Sequence, residues 1–194
     1  MKSPIYHSIE TYRFTMKKLY GKQFESRYSN LAEHVPAGKT ITELCPGDGY
    51  LFENYLKNTN PDYSAVEWNR KFSLYLREMG VKVITQDLTK TKIPSAQVIL
   101  MQGSLYQFED HTSMVEDIFE AAKELVVISE PIDNIVNSKN KIISGIGAHL
   151  SNPGDGPKHF RFTKGSLLET FEGYPEPQIH HYPAAKEVIL VFQK

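Results

Sequence analysis

The chain has 194 residues, 40% of them hydrophobic, with 22 Lys and Arg against 23 Asp and Glu for a net charge of -1. That length and apolar share suit one domain built around a sizeable core. The absence of a basic excess argues against a nucleic-acid partner, whose phosphates need a positive field.

The single cysteine, Cys45, excludes an intramolecular disulfide and fits a reducing compartment. Met1-Lys2-Ser3-Pro4 leads into polar and aromatic residues, not into an apolar signal core. No run approaches the roughly 18 apolar residues that span a bilayer. A cytoplasmic protein with no membrane partner is expected, as a monomer or homodimer.

Along residues 5–34, Ile9, Tyr12, Phe14, Met16, Leu19 and Tyr20 follow a mixed helical spacing. One or two helices are expected there, broken at Gly21 or within Arg27–Asn30, with Val35–Gly38 as a closing turn. From Thr40 the pattern changes to β-α alternation. Strands are predicted at Thr40–Cys45, Tyr63–Glu67, Val81–Thr85, Gln97–Met101 and Leu125–Ser129, the last two being apolar runs that read as covered on both faces. Helices are predicted at Tyr50–Lys57, Arg70–Met79 (stopped by Gly80), Ser113–Lys123 and Lys164–Phe171. Gln178–Tyr182 and Lys186–Phe192 are too close for a helical crossover, so they must form an antiparallel pair. The whole is an α/β chain with helices on both faces of a mostly parallel sheet.

In such sheets ligands bind beyond the carboxyl ends of the strands. The first of those ends reads "ELCPGDG", Glu43 to Gly49. Gly47 and Gly49 let backbone approach a ligand, and a helix N-terminus stands behind them. A dinucleotide loop of the form G-x-G-x-x-G needs glycine at position 52, where this chain has Phe52; no Gly-Lys-Ser/Thr follows for a P-loop. Glu67 ends the second strand 18 residues after Gly49. Its carboxylate can accept both hydrogens of a ribose diol, and Trp68 offers a flat apolar face. Asp87 after the third strand can accept from an adenine amine while Leu88 packs on the ring. Taken in order, these are the parts of an adenosine site without phosphate.

These residues resemble those of the class I, seven-stranded S-adenosylmethionine-dependent methyltransferases, over about residues 38–192. The family's acid-x-Gly-x-Gly-x-Gly loop is matched by Glu43, Gly47 and Gly49, with Cys45 in place of the first glycine; Glu67 falls on the ribose acid and Asp87 on the adenine acid. The resemblance implies a three-layer α/β/α sandwich with strand order 3-2-1-4-5-7-6, strand 7 antiparallel, under an N-terminal helical lid. It divides a single domain, 1–194, into a helical cap (1–37), a cofactor-binding half (38–131) and a substrate-side insertion with the terminal strand pair (132–194). It implies S-adenosylmethionine as cofactor, S-adenosylhomocysteine as product, and methyl transfer to a small-molecule acceptor. The residues expected around the cofactor are Glu43, Cys45, Pro46, Gly47, Gly49, Glu67, Trp68, Asp87, Leu88, Gln102 and Tyr12.

A sulfonium methyl is already electrophilic, so positioning and water exclusion are the main tasks, and only a hydroxyl acceptor needs a base. His149 and His159 flank a glycine-rich segment and are the candidate bases, against a plainer reading as surface-loop histidines. Tyr106, Glu130 and His149 are candidate substrate contacts. No metal is expected, because His149, Asp155 and His159 lack zinc-type spacing and cysteine support. Of Tyr6, Tyr12, Tyr20 and Tyr28, one or two are expected to reach the ligand and the rest to be core. Cys45 is read as a small hydrophobe and not a nucleophile, and Asp48 as a turn residue. Two other readings remain: a non-catalytic or regulatory cofactor-binding protein of the same fold, and an NAD(P)-dependent oxidoreductase, which Phe52 and the terminal strand pair disfavour.

Overall fold

The computed structural model describes residues 6, 8–60, 62–132 and 162–194. Helix α1 (Ile9–Tyr20) starts where the Ser8 side chain accepts the Thr11 N–H at 3.1 Å, and a 3-10 turn at Gly21–Gln23 separates it from α2 (Phe24–Ala32). The break falls at Gly21, while Arg27–Asn30 lies inside α2. α1 buries no residue fully, whereas α2 turns Phe24, Arg27, Tyr28 and Leu31 inward. The two form a cap laid over the sheet.

The remaining elements alternate as read from the sequence: β1 (Ile41–Leu44), β2 (Tyr63–Val66), α3 (Arg70–Glu78), β3 (Lys82–Ile84), β4 (Ala96–Gln102), α4 (His111–Ala121), β5 (Ala122–Pro131), α5 (Lys164–Glu169), β6 (Gln178–Tyr182) and β7 (Glu187–Gln193). Two boundaries differ in an informative way. The helix after β1 passes at Phe52–Leu56 into a π-turn, in which the Lys57 N–H reaches the Phe52 carbonyl. β5 is longer than its apolar core, Leu125–Ser129, because β7 pairs with it as far as Pro131↔Glu187. A polar residue such as Glu130 thereby continues the strand.

The seven strands run in the order β3-β2-β1-β4-β5-β7-β6. β1 to β5 are parallel, and β7 is antiparallel to both β5 and β6, as expected. Alternate residues feed opposite faces. Ile99, Met101, Val126, Ile128, Leu190 and Phe192 pack with α4 and α5 on one side. Val98, Leu100, Leu125, Val127, Ile189 and Val191 pack on the other with the cap and the helices after β1 and β2. Burying both faces holds the carboxyl ends of β1 to β5 in one row beneath the cap. No helix among the described residues is long and apolar enough to cross a membrane.

Candidate functional site

The loop leaving β1 is shaped by three left-handed residues at alternate positions, Cys45 (φ 55), Gly47 (φ 61) and Gly49 (φ 68). Glycine adopts this conformation without penalty, whereas an L side chain costs roughly 1–2 kcal/mol. Cys45, expected from the resemblance to stand in place of a glycine, has a glycine-like backbone. Its side chain packs against the sheet core. Burial and the neighbouring Glu67, Glu43, Glu130 and Asp87 push the thiol well up from its ordinary value, so it is no thiolate nucleophile.

The two glycines differ in what crowds them. A Cβ on Gly47 would stand 3.1 Å from the Tyr12 hydroxyl, on the cavity side of the loop. A Cβ on Gly49 would strike Leu76 Cδ2 at 2.5 Å and Met79 Cε at 2.8 Å. Gly49 thus serves close packing of the loop on α3, and it does not border the cavity.

Three acids lie in an arc over β1, β2 and β3. Glu43 is buried and accepts the Tyr63 hydroxyl; burial raises its pKa to about 7. Glu67 is buried at the exit of β2, where Oε2 accepts the Gly47 N–H at 3.2 Å and Oε1 the Asn69 N–H at 2.7 Å. Desolvation again dominates and raises it to about 7. At Asp87 burial acts the other way from the net result. The Thr89 backbone and hydroxyl donate to its carboxylate, Lys90 sits 3.3 Å away, and together they hold it below the ordinary carboxylate value.

These acids border a cavity of about 1150 Å³ beneath the cap, together with Cys45, Pro46, Gly47, Trp68, Leu88, Gln102 and Tyr106. That is at the large end for small-molecule sites, roughly 300–1,000 Å³, and leaves room for two ligands side by side. Tyr6, Tyr12, Tyr20 and Tyr28 all line it. Their helical spacing suggested core packing, but the aromatic face of the cap is itself the cavity roof. Trp68 stands at the rim, 46% exposed.

Glu130 does not reach the cavity. It is fully buried, and its Oε1 accepts the Ser104 and Leu105 N–H groups at 2.8 and 2.7 Å, which fixes the strand-four exit; burial raises its pKa to about 8. His149 and His159, with Asp155, lie outside the described residues. Within the described residues no group of three or more His, Cys, Asp or Glu is placed to hold a metal.

Three cavity or loop partners carried no signal in the sequence. Arg27 lines the cavity and pairs with Glu187 at 3.1 Å, 160 positions away. His111, at the start of α4, borders the cavity with its pKa lowered by burial, so its ring is neutral at pH 7. Asp48 is more than a turn residue: Arg13 Nε reaches its Oδ2 at 2.6 Å and Arg13 Nη2 reaches Glu53 at 3.1 Å, fastening α1 to the loop.

No protein-family model matches the chain, and no curated protein does. Solved structures do. A Thermotoga maritima SAM-dependent methyltransferase superposes with a TM-score of 0.69 at 13% identity, covering 98% of this chain and 97% of that one. Magnesium protoporphyrin IX methyltransferase from Synechocystis, crystallised with SAH, gives 0.61 at 11% identity over 88% of this chain and 82% of that one. Human N-acetylserotonin methyltransferase, in complex with SAM, gives 0.65 at 12% identity over 98% of this chain but 57% of its own, longer one. With the strand order and the reversed β7, these likenesses establish that the chain has the class I SAM-dependent methyltransferase fold.

Proposed function

We propose that the protein transfers a methyl group from S-adenosylmethionine to a small-molecule acceptor. The observation that carries this is the placement of Glu67, a buried carboxylate at the exit of β2, against the backbone of a left-handed loop and in the same cavity wall as Asp87 and Leu88. An adenosine group fits that donor and acceptor set. Glu67 takes the ribose hydroxyls, Asp87 the adenine amine, and Leu88 and Trp68 the faces of the rings. Gly47 keeps the loop free of a side chain where the amino-acid tail passes. The acids disfavour a dinucleotide pyrophosphate, and Phe52, stacked on Tyr63 at 4.4 Å, occupies the position of the third dinucleotide-loop glycine.

When bound, the cofactor supplies an electrophilic sulfonium methyl for in-line displacement. The chain's own contribution is orientation and exclusion of water. The four tyrosines close the roof, and holding two reactants in line can contribute as much as roughly 7–11 kcal/mol. For a hydroxyl acceptor, the neutral His111 ring is the histidine among the described residues that borders the cavity and can take the proton. His149 and His159 remain candidates for that role from the sequence. Incubation with methyl-labelled S-adenosylmethionine and a panel of phenols, amines and carboxylic acids tests the proposal. Label transfer to one class supports it; cofactor binding without transfer to any would favour the regulatory reading.

A further inference from the structure

Among the described residues that line the cavity, Arg27 is the single Lys or Arg. It is 5% exposed, and one face of its guanidinium lies 3.6 Å from the centroid of the Tyr20 ring. A guanidinium carries five N–H donors. Among the described residues this one makes a single side-chain hydrogen bond, Nη2 to Glu187 Oε1, and Nε is enclosed with no partner. Buried charges are normally saturated with hydrogen bonds, because an unmade one forfeits the desolvation cost. A cation this buried and this underused marks a place where a ligand completes the bonding.

Its position in the row of strand ends says which ligand chemistry. Glu43, Glu67 and Asp87 sit at the exits of β1, β2 and β3. Arg27 is tied to the opposite end: the Gln102 amide at the exit of β4 donates to its carbonyl at 3.4 Å, and Glu187 opens β7 opposite Pro131. Gly103, just past β4, lies beside the guanidinium: a Cβ there would meet Nη2 at 3.6 Å, ordinary van der Waals contact. The three acids thus gather at one end of the cavity, and Arg27, its charge partly offset by Glu187 but its donors largely unused, stands at the other. An anionic group is repelled from the first and finds open N–H donors at the second.

We propose that Arg27 is the anion-binding residue of the cavity and holds a carboxylate. That carboxylate comes from the amino-acid tail of the cofactor or from the acceptor. The inference rests on the adenosine reading only in naming the first of these sources. Charged Arg–carboxylate bonds are short and strong, which makes Arg27 a determinant of what binds.

The test measures binding to the wild type, to Arg27→Met, and to Arg27→Met/Glu187→Gln, which leaves no unpaired acid behind. The probes are S-adenosylhomocysteine, 5′-methylthioadenosine (the same nucleoside without the carboxylate), and benzoate against its neutral isostere benzamide, with and without S-adenosylhomocysteine. If the cofactor tail is the source, both variants lose tenfold or more in affinity for S-adenosylhomocysteine and none for methylthioadenosine. If the acceptor is the source, nucleoside affinities hold while the wild type selects benzoate over benzamide and the variants do not. Nucleoside affinities within twofold and no benzoate preference overturn the proposal. A wild type that binds neither nucleoside overturns the adenosine reading instead, and benzoate preference in the ligand-free protein still decides Arg27.

Discussion

Glu67 gives the sharpest handle on the site, because its protonation and its hydrogen bonds are coupled. Its pKa is raised to about 7 by burial, yet accepting two ribose hydroxyls requires the ionised form. At pH 6 about one molecule in eleven carries that carboxylate ionised and at pH 8 about ten in eleven, so affinity should rise roughly tenfold between them. Glu67→Gln keeps one acceptor oxygen for the Gly47 or Asn69 N–H and sets an NH2 against the other. It loses a charged hydrogen bond of about 1.5–3 kcal/mol, roughly 10- to 150-fold in affinity. Isothermal titration with S-adenosylhomocysteine at pH 6, 7 and 8 reads both effects. Affinity should rise with pH more steeply in the wild type than in the variant, in which Glu43 still titrates over this range. Equal affinities for the two proteins, or a pH-independent wild type, would refute the ribose assignment.

Other expectations follow from the same geometry. Gly49→Ala places a methyl against Leu76 and Met79 at positive φ, so urea denaturation should show a loss of about 1–3 kcal/mol or more. Cys45→Gly relieves left-handed strain but frees the unfolded chain, so stability should change by less than about 1 kcal/mol. The Cys45 thiol should alkylate with iodoacetamide far more slowly than free cysteine at pH 8. Glu43, Glu67 and Glu130 hold their protons to about 7, 7 and 8 in the folded state but release them near 4.5 when unfolded. Between pH 6.5 and 8 the native state binds more protons, so the Tm of the ligand-free protein should fall as pH rises. A flat or rising Tm over that window would contradict the buried-acid arrangement.

Much of this was legible in the sequence because it is local. The β-α alternation, the short link before β7 and the "ELCPGDG" loop each announce themselves within a few residues; they specify a mostly parallel sheet with a terminal antiparallel pair, while the strand order came from the family resemblance they carry. The strand-end rule then brought Glu67, Asp87 and Leu88 to one cavity. What the sequence hid depends on contacts between distant segments. Nothing near Arg27 points to Glu187, and Arg13 meets Asp48 from 35 positions away. The cap tyrosines carry the same spacing whether they face a core or a cavity, so periodicity alone could not place them. Gly49 matched a ligand-loop pattern, but its restriction comes from α3.

The most direct test of the central claim is titration of the purified protein with S-adenosylhomocysteine, run beside NADH. Saturable binding of S-adenosylhomocysteine and none of NADH is the expected result. Binding of NADH with no response to S-adenosylhomocysteine would contradict the account.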